Sequence, residues 1–269
     1  MLNALRKLFH AAPDRPLPAI PAGERLYAFG DIHGRADRFS ALLAAVEEDD
    51  RARGPADTTI VLLGDLVDRG SDSAAVVEAA ICLAARRKTV LIAGNHEEMF
   101  LRALDDLDMF RHFLRYGGRE TVLSYPIDPS TWNATTLEDA QELLRRAVPG
   151  GHIGFLRNAA DWVAVGDYLF VHAGIMPGVP IEQQKRHDLR WIREPFLSDP
   201  RDHGMVIVHG HSITAEPEML ANRIGIDTGA FASGRLTALG LEGTERWLIE
   251  TAQDELDDAA GVAVTMRAA

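Results

Sequence analysis

A chain of 269 residues, 46% hydrophobic and 25% charged, can bury one large core and has the composition of an ordinary globular protein. Its formal charge of −12 lacks the basic footprint of a nucleic-acid binder, and its one cysteine excludes an intrachain disulfide or a thiolate zinc site. No apolar run approaches the roughly 20 residues that span a bilayer, so neither nucleic acid nor membrane is expected as a partner, and a reducing cytoplasm is the expected setting.

Residues 1–23 read as a leader segment. Leu2, Leu5, Leu8 and Phe9 share a helical face beside Arg6 and Lys7, as in a frayed or lightly docked helix. A single α/β domain is expected over 24–252. Its recurring feature is a short apolar run that ends at a polar residue, usually with glycine beside it. Leu26–Phe29 leads into Gly30-Asp31, Thr59–Leu63 into Gly64-Asp65, and Thr89–Ile92 into Gly94-Asn95. Tyr168–Val171 leads into His172, and Met205–Val208 into His209-Gly210-His211. Continuous apolar runs of this length read as buried strands.

Helical spacing separates the first three. Phe39, Leu42, Leu43 and Val46 form one apolar face, and Val76, Ala79, Ala80 and Leu83 form another, with Ser71 or Asp72 as N-cap. Cys82 lies in the second pattern and is expected as a small core residue. Strand–helix–strand alternation implies right-handed crossovers and parallel strands, whose carboxyl ends gather functional groups. Residues 98–165 read as a mostly helical insertion, with helices near 98–108 and 137–147 and a break at Gly117-Gly118. Strand-like runs return at Arg223–Ile226, Leu236–Leu241 and Trp247–Ile249, as expected of a second sheet. Residues 253–269 read as a loosely ordered tail.

The strand-end groups carry the chemistry. Asp31 and His33 sit in GDIHG, Asp65, Asp68 and Arg69 in GDLVDRG, Asn95 and His96 in GNHE, His172 in HAG and His211 in GHS. A lone Gly-Asp is an ordinary turn, and HAG or GHS alone says little. GDLVDRG and GNHE are far more demanding, and all five occur in order, each at a strand end. Asp31 and His33, two apart, can point the same way. Mixed oxygen and nitrogen donors suit manganese, iron or zinc. His209 is expected to serve packing or a backbone hydrogen bond, and Asp72, Glu97 and Glu98 to be helix-terminal charges.

These motifs resemble the phosphoprotein phosphatase family within the calcineurin-like metallophosphoesterase superfamily, and its bacterial and phage-type branch in particular. Trp191-Ile192-Arg193-Glu194 and Ile226-Asp227-Thr228-Gly229-Ala230 are further matches. The resemblance implies an αββα sandwich of two mixed sheets flanked by helices. It also implies two divalent metal ions, manganese first, with iron or zinc as alternatives. Asp31, His33 and Asp65 would bind one ion. Asp65 would bridge to a second, completed by Asn95, His172 and His211. Ile213 stands where many superfamily members carry another histidine, which points to the phosphatase branch.

Paired ions lower the pKa of a bound water and yield a nucleophile near neutral pH. Arg69 and Arg193 are expected to grip phosphoryl oxygens, and His96, oriented by Asp68, to protonate the leaving oxygen. The expected activity is that of a serine/threonine protein phosphatase, a phosphomonoesterase working through a metal-activated water on phosphoproteins. The alternative is symmetrical hydrolysis of diadenosine tetraphosphate or another phosphorylated small molecule. A non-catalytic regulator on the same fold is the remaining option, and oligomeric state is left open.

Overall fold

The computed structural model describes residues 16–252 and 262–269; the helical face at Leu2–Phe9 lies outside them. The chain runs β1 (Glu24–Phe29), α1 (Ala36–Arg53), β2 (Asp57–Leu62), α2 (Ser73–Arg86) and β3 (Thr89–Leu91). A helical stretch follows: α3 (Asn95–Ala103), α4 (Leu107–Phe113), α5 (Arg119–Ser124), α6 (Pro129–Ala134), α7 (Leu137–Ala147) and α8 (Gly150–Arg157). Then come β4 (Trp162–Val165), β5 (Tyr168–Val171), α9 (Arg186–Trp191), β6 (Val206–His209), β7 (Glu218–Met219) and β8 (Arg223–Gly225). The described chain closes with α10 (Ala230–Ser233), β9 (Thr237–Glu242), β10 (Glu245–Thr251) and β11 (Val264–Ala268). Among the described residues, no helix is long and apolar enough to cross a membrane.

The strands form two mixed sheets, ordered β11-β10-β9-β1-β2-β3 and β4-β5-β6-β8-β7. As expected, β1, β2 and β3 are parallel, and so are β5, β6 and β8. Both faces of β1 and β2 are buried because alternate residues face different layers. Tyr27, Phe29, Ile60 and Leu62 pack with Phe39, Leu42 and Val46 of α1 and with Val76 and Leu83 of α2. Leu26, Ala28, Val61 and Leu63 face the second sheet through Tyr168, Phe170, Val208 and Ile224. The outer face of that sheet is covered by Leu189, Ile192 and Phe196. This is the αββα sandwich.

Four expectations need correction. β9 and β10 extend the first sheet, antiparallel to β1; only β8 of the late runs joins the second. Leu239 and Leu248 face the intersheet core while Trp247 and Ile249 face the helices, so both strands need cover on two sides. The open edge of β1 beneath α1 supplies it, with Tyr27 and Trp247 in edge contact at 5.7 Å. The tail is not loose to its end, since β11 pairs with β10 and Arg267 donates to Glu250 at 2.8 Å. The last residues of the helical insertion are strand β4, paired with β5. Cys82 is exposed, because it follows buried Ala80 by two residues and so points away from the core-facing side of α2.

Candidate metal centre

Every candidate ligand stands just past the carboxyl end of a strand. Asp31 and His33 follow β1, Asp65 follows β2, and Asn95 opens α3 after β3; His172 follows β5 and His211 follows β6. The first four belong to one sheet and the last two to the other, so the centre forms where the two edges meet. All six are buried. Two close approaches require glycine. A Cβ on Gly94 would come within 2.2 Å of Asp65 Oδ1, and one on Gly210 within 2.0 Å of Asp31 Oδ1.

Asp65 divides its carboxylate between two groups. Oδ2 lies 3.5 Å from His33 Nε2 and 3.9 Å from His96 Nε2. Oδ1 lies 3.4 Å from His172 Nε2. Donor atoms of His33, Asp65 and His96 fall within 4.8 Å of one another, and so do those of Asp65, His172 and His211. Asn95 Oδ1 is 2.9 Å from both His172 Nε2 and His211 Nδ1. Asp31 stands outside both triads, its carboxylate accepting the His211 amide at 3.1 and 3.2 Å. His96, expected only as an acid, is inside one.

The donor set fits cations. His33 Nδ1 faces the Val67 carbonyl at 2.8 Å and His172 Nδ1 the Leu63 carbonyl at 2.7 Å. Each ring must therefore donate from Nδ1, which leaves a lone pair on Nε2. The His33 Nε2 is buried and has no hydrogen-bond partner, while the His172 lone pair faces other acceptors. Burial lowers the pKa of His33 well below normal, that of His172 to about 4 and that of His211 to about 2, so these rings are neutral, the form in which imidazole can ligate a metal. Burial raises the carboxyls instead. Asp31 is pushed well up by desolvation and by the charges of Asp227 and Asp65, and Asp65 rises to about 6 through desolvation. Buried like charges call for a positive partner, as a divalent pair would be.

Beside the triads, His96 Nδ1 is 2.6 Å from Asp68 Oδ2, and Arg69 Nη2 is 3.1 Å from His96 Nε2. The dyad therefore turns Nε2 toward the centre. Arg193 is exposed and donates to the His211 carbonyl at 3.4 Å. His33, Asp65, Asp68, Arg69 and His211 have φ between 46° and 75°. Left-handed backbone costs non-glycine residues of order 1–3 kcal/mol each and collects at functional sites.

Two contributors escaped the sequence reading. Glu97 is buried and accepts backbone N–H groups of Leu66, Asp65 and Gly94 at 2.7, 2.8 and 3.0 Å. It caps a helix, as expected, but it also fixes the Asp65 loop. Asp227 is buried, and its charge helps push the Asp31 carboxyl up; the Ile226–Ala230 motif was its only signal. His209 is a packing residue as expected, with Nδ1 at 3.0 Å from the Gly210 carbonyl and its ring edge-on to Phe196.

The chain is similar to several known proteins. A bis(5'-nucleosyl)-tetraphosphatase PrpE [asymmetrical] of Anoxybacillus flavithermus is 28% identical over 230 residues, covering 78% of this chain and 87% of that protein. A symmetrical bis(5'-nucleosyl)-tetraphosphatase of Acidovorax is 33% identical over 152 residues; the match spans 56% of this chain and 44% of that relative. Serine/threonine-protein phosphatase 1 of Salmonella typhimurium is 29% identical over 222 residues, with 79% and 89% covered. Among solved structures, a cold-active protein-tyrosine phosphatase of a Shewanella psychrophile superimposes with a TM-score of 0.54 at 20% identity, covering 86% of this chain and 80% of that one. Residues 24–234 match the family described as calcineurin-like phosphoesterase, and the chain belongs to that family.

Proposed function

We propose that the chain is a dinuclear-metal hydrolase that cleaves dinucleoside tetraphosphates. The chemistry rests on the Asp65 carboxylate, which offers one oxygen to each of two donor groups. The substrate differs from the phosphoprotein first expected. A relative aligned over 87% of its own length is a bis(5'-nucleosyl)-tetraphosphatase, and so is the more partial Acidovorax match.

In this reading Asp31, His33 and Asp65 hold one divalent ion, and Asp65, Asn95, His172 and His211 hold the other. Such ions, when bound, polarise phosphoryl oxygens and activate water. The chain's own groups do the rest. Arg69 and Arg193 bind phosphoryl oxygens through forked N–H groups. His96 would carry a proton on Nε2 to the leaving oxygen once Arg69, which donates to that nitrogen at 3.1 Å, has turned to the phosphoryl group, while Asp68 accepts from Nδ1 and so fixes which nitrogen faces the substrate.

A second reading, phosphoserine or phosphothreonine hydrolysis, draws support from that same dyad. A nucleotide phosphate leaves readily as an anion, whereas a serine alkoxide needs a proton, so a built-in acid suits an ester. Rates on diadenosine tetraphosphate and on a phosphopeptide, measured side by side with Mn²⁺, test the choice. ADP as sole product marks symmetrical cleavage; ATP with AMP marks asymmetrical cleavage. Faster turnover of the phosphopeptide would overturn the first reading in favour of the second.

A further inference from the structure

Asp68 is held from a direction that no strand-end motif supplies. Between α4 and α5 the chain kinks at Tyr116 and Gly117, whose backbone is non-helical, with Gly117 at φ 99°. The Gly117 carbonyl accepts the Arg69 N–H at 3.0 Å. A side chain at Gly117 would strike Arg69, and one at Gly118 would strike the Phe113 ring. The kink thus lays the start of α5 against the Asp68-Arg69 loop and buries Thr121 completely.

The Thr121 hydroxyl meets Asp68 twice. Its Oγ1 donates to Asp68 Oδ1 at 2.6 Å and accepts the Asp68 N–H at 2.8 Å. Ser73 Oγ lies 2.9 Å from Thr121 Oγ1 and 3.0 Å from Asp68 N. With the Thr121 proton committed to the carboxylate, the Ser73 hydroxyl can donate to Thr121. One oxygen of Asp68 is then taken by Thr121 and the other by His96. The residue is also in left-handed backbone at φ 75°, which needs external support.

We propose that Thr121 is a positioning residue for proton delivery. From the helical insertion, it sets the Asp68 carboxylate and through it the direction of His96 Nε2. The inference rests on the reading of His96 as the acid and deepens it. A structural role alone would slow all substrates alike. A positioning role slows those whose leaving group needs the proton. p-Nitrophenolate leaves without help near neutral pH, whereas phenolate benefits from an acid.

The test compares kcat on p-nitrophenyl phosphate and phenyl phosphate for the full-length Mn²⁺-loaded protein and its Thr121→Val, Thr121→Ser and His96→Asn variants. Losing a hydrogen bond to a charged group predicts a fall of ~10–100-fold on phenyl phosphate for Thr121→Val. A loss below about 3-fold is expected on p-nitrophenyl phosphate, where little acid help is used. Thr121→Ser, which keeps the hydroxyl, should restore most of the difference.

A second readout needs no turnover and uses Zn²⁺-loaded protein, because paramagnetic Mn²⁺ would broaden the signal. The His96 Nδ1 proton, identified by its absence in His96→Asn, should resonate far downfield in the proton NMR spectrum and move upfield in Thr121→Val. Equal losses on both esters, no loss on either, or an unmoved proton would overturn the proposal. Thr121→Ala serves the same comparison if valine cannot be accommodated, and misfolding of both would make the residue purely structural and end the proposal. If His96→Asn shows no leaving-group dependence, the acid reading falls and this inference with it. If His96→Asn shows it and Thr121→Val does not, only the inference falls.

Discussion

Glu97 accepts the backbone N–H of Asp65 at 2.8 Å, so a residue outside both donor triads holds the main chain of their shared carboxylate in its left-handed turn. Glu97→Ala would leave three buried N–H groups without acceptors, each costing about 1–3 kcal/mol. For a chain of this size the melting temperature should fall by roughly 6 °C or more. A scanning-calorimetry shift under about 2 °C would show that the brace is dispensable.

His96→Asn should lower turnover of a phosphate ester with a poor leaving group by ~10²–10⁴-fold, the scale of a lost general acid. Metal content, measured by elemental analysis of the same preparation, should be unchanged. The contact of 3.9 Å between His96 Nε2 and Asp65 Oδ2 gives the opposite result a clear meaning: lost metal would move His96 into the ligand set.

Asp65→Asn should abolish activity and reduce both ions together, because its two oxygens face separate triads. His211→Ala touches one triad and should spare the other site. Chelator should also lower the melting temperature of the wild type. At free metal 100-fold above Kd the bound ion contributes about 2.7 kcal/mol, or roughly 5–10 °C here. Stoichiometric loss of a single ion in Asp65→Asn would refute a bridging role.

Asp50 lies far from the centre and sets an acid limb of stability. Burial works against its ionised form, but Thr58, Arg87 and Arg25 outweigh burial and hold its carboxyl below the ordinary range. Their donors lie at 2.6, 2.7 and 2.8 Å. A depressed folded pKa contributes stability above the unfolded value of about 3.9 and loses it as pH falls through the folded value. Urea melts should therefore show wild type more stable than Asp50→Asn by a constant margin above about pH 5, shrinking below pH 4. A margin that grows on acidification would reverse the sign and reject the ion-pair account.

Much of this was legible in the sequence because it depends on local signals. The runs ending at Asp31, Asp65 and Asn95 are strands that bury both faces, and such strands announce themselves by continuous apolar residues. The αββα layering followed from them. The edge to which β9 and β10 attach was not legible, since their composition suits either sheet and only the open side of β1 decides. β11 was missed because it is an exposed edge strand held mainly by backbone pairing. At the site, the strand-end motifs named His33, Asp65, His96, His172 and His211, whose donor atoms the fold gathers, while Arg193 came from a separate motif after α9. What they could not show was the support behind them. Thr121 reaches Asp68 from 53 residues away, and the left-handed backbone at His33 or His211 has no signature in residue type. Glu97 looked like a helix-capping charge because it is one.

The candidate ligands come from both sheets: Asp31, His33, Asp65 and Asn95 from one, His172 and His211 from the other. On the proposed reading, a nascent chain whose synthesis has not passed His211 would lack the last ligand for the second ion. Ion uptake would then be a late event in biogenesis, and a bound pair would certify that the two halves of the fold have already come together.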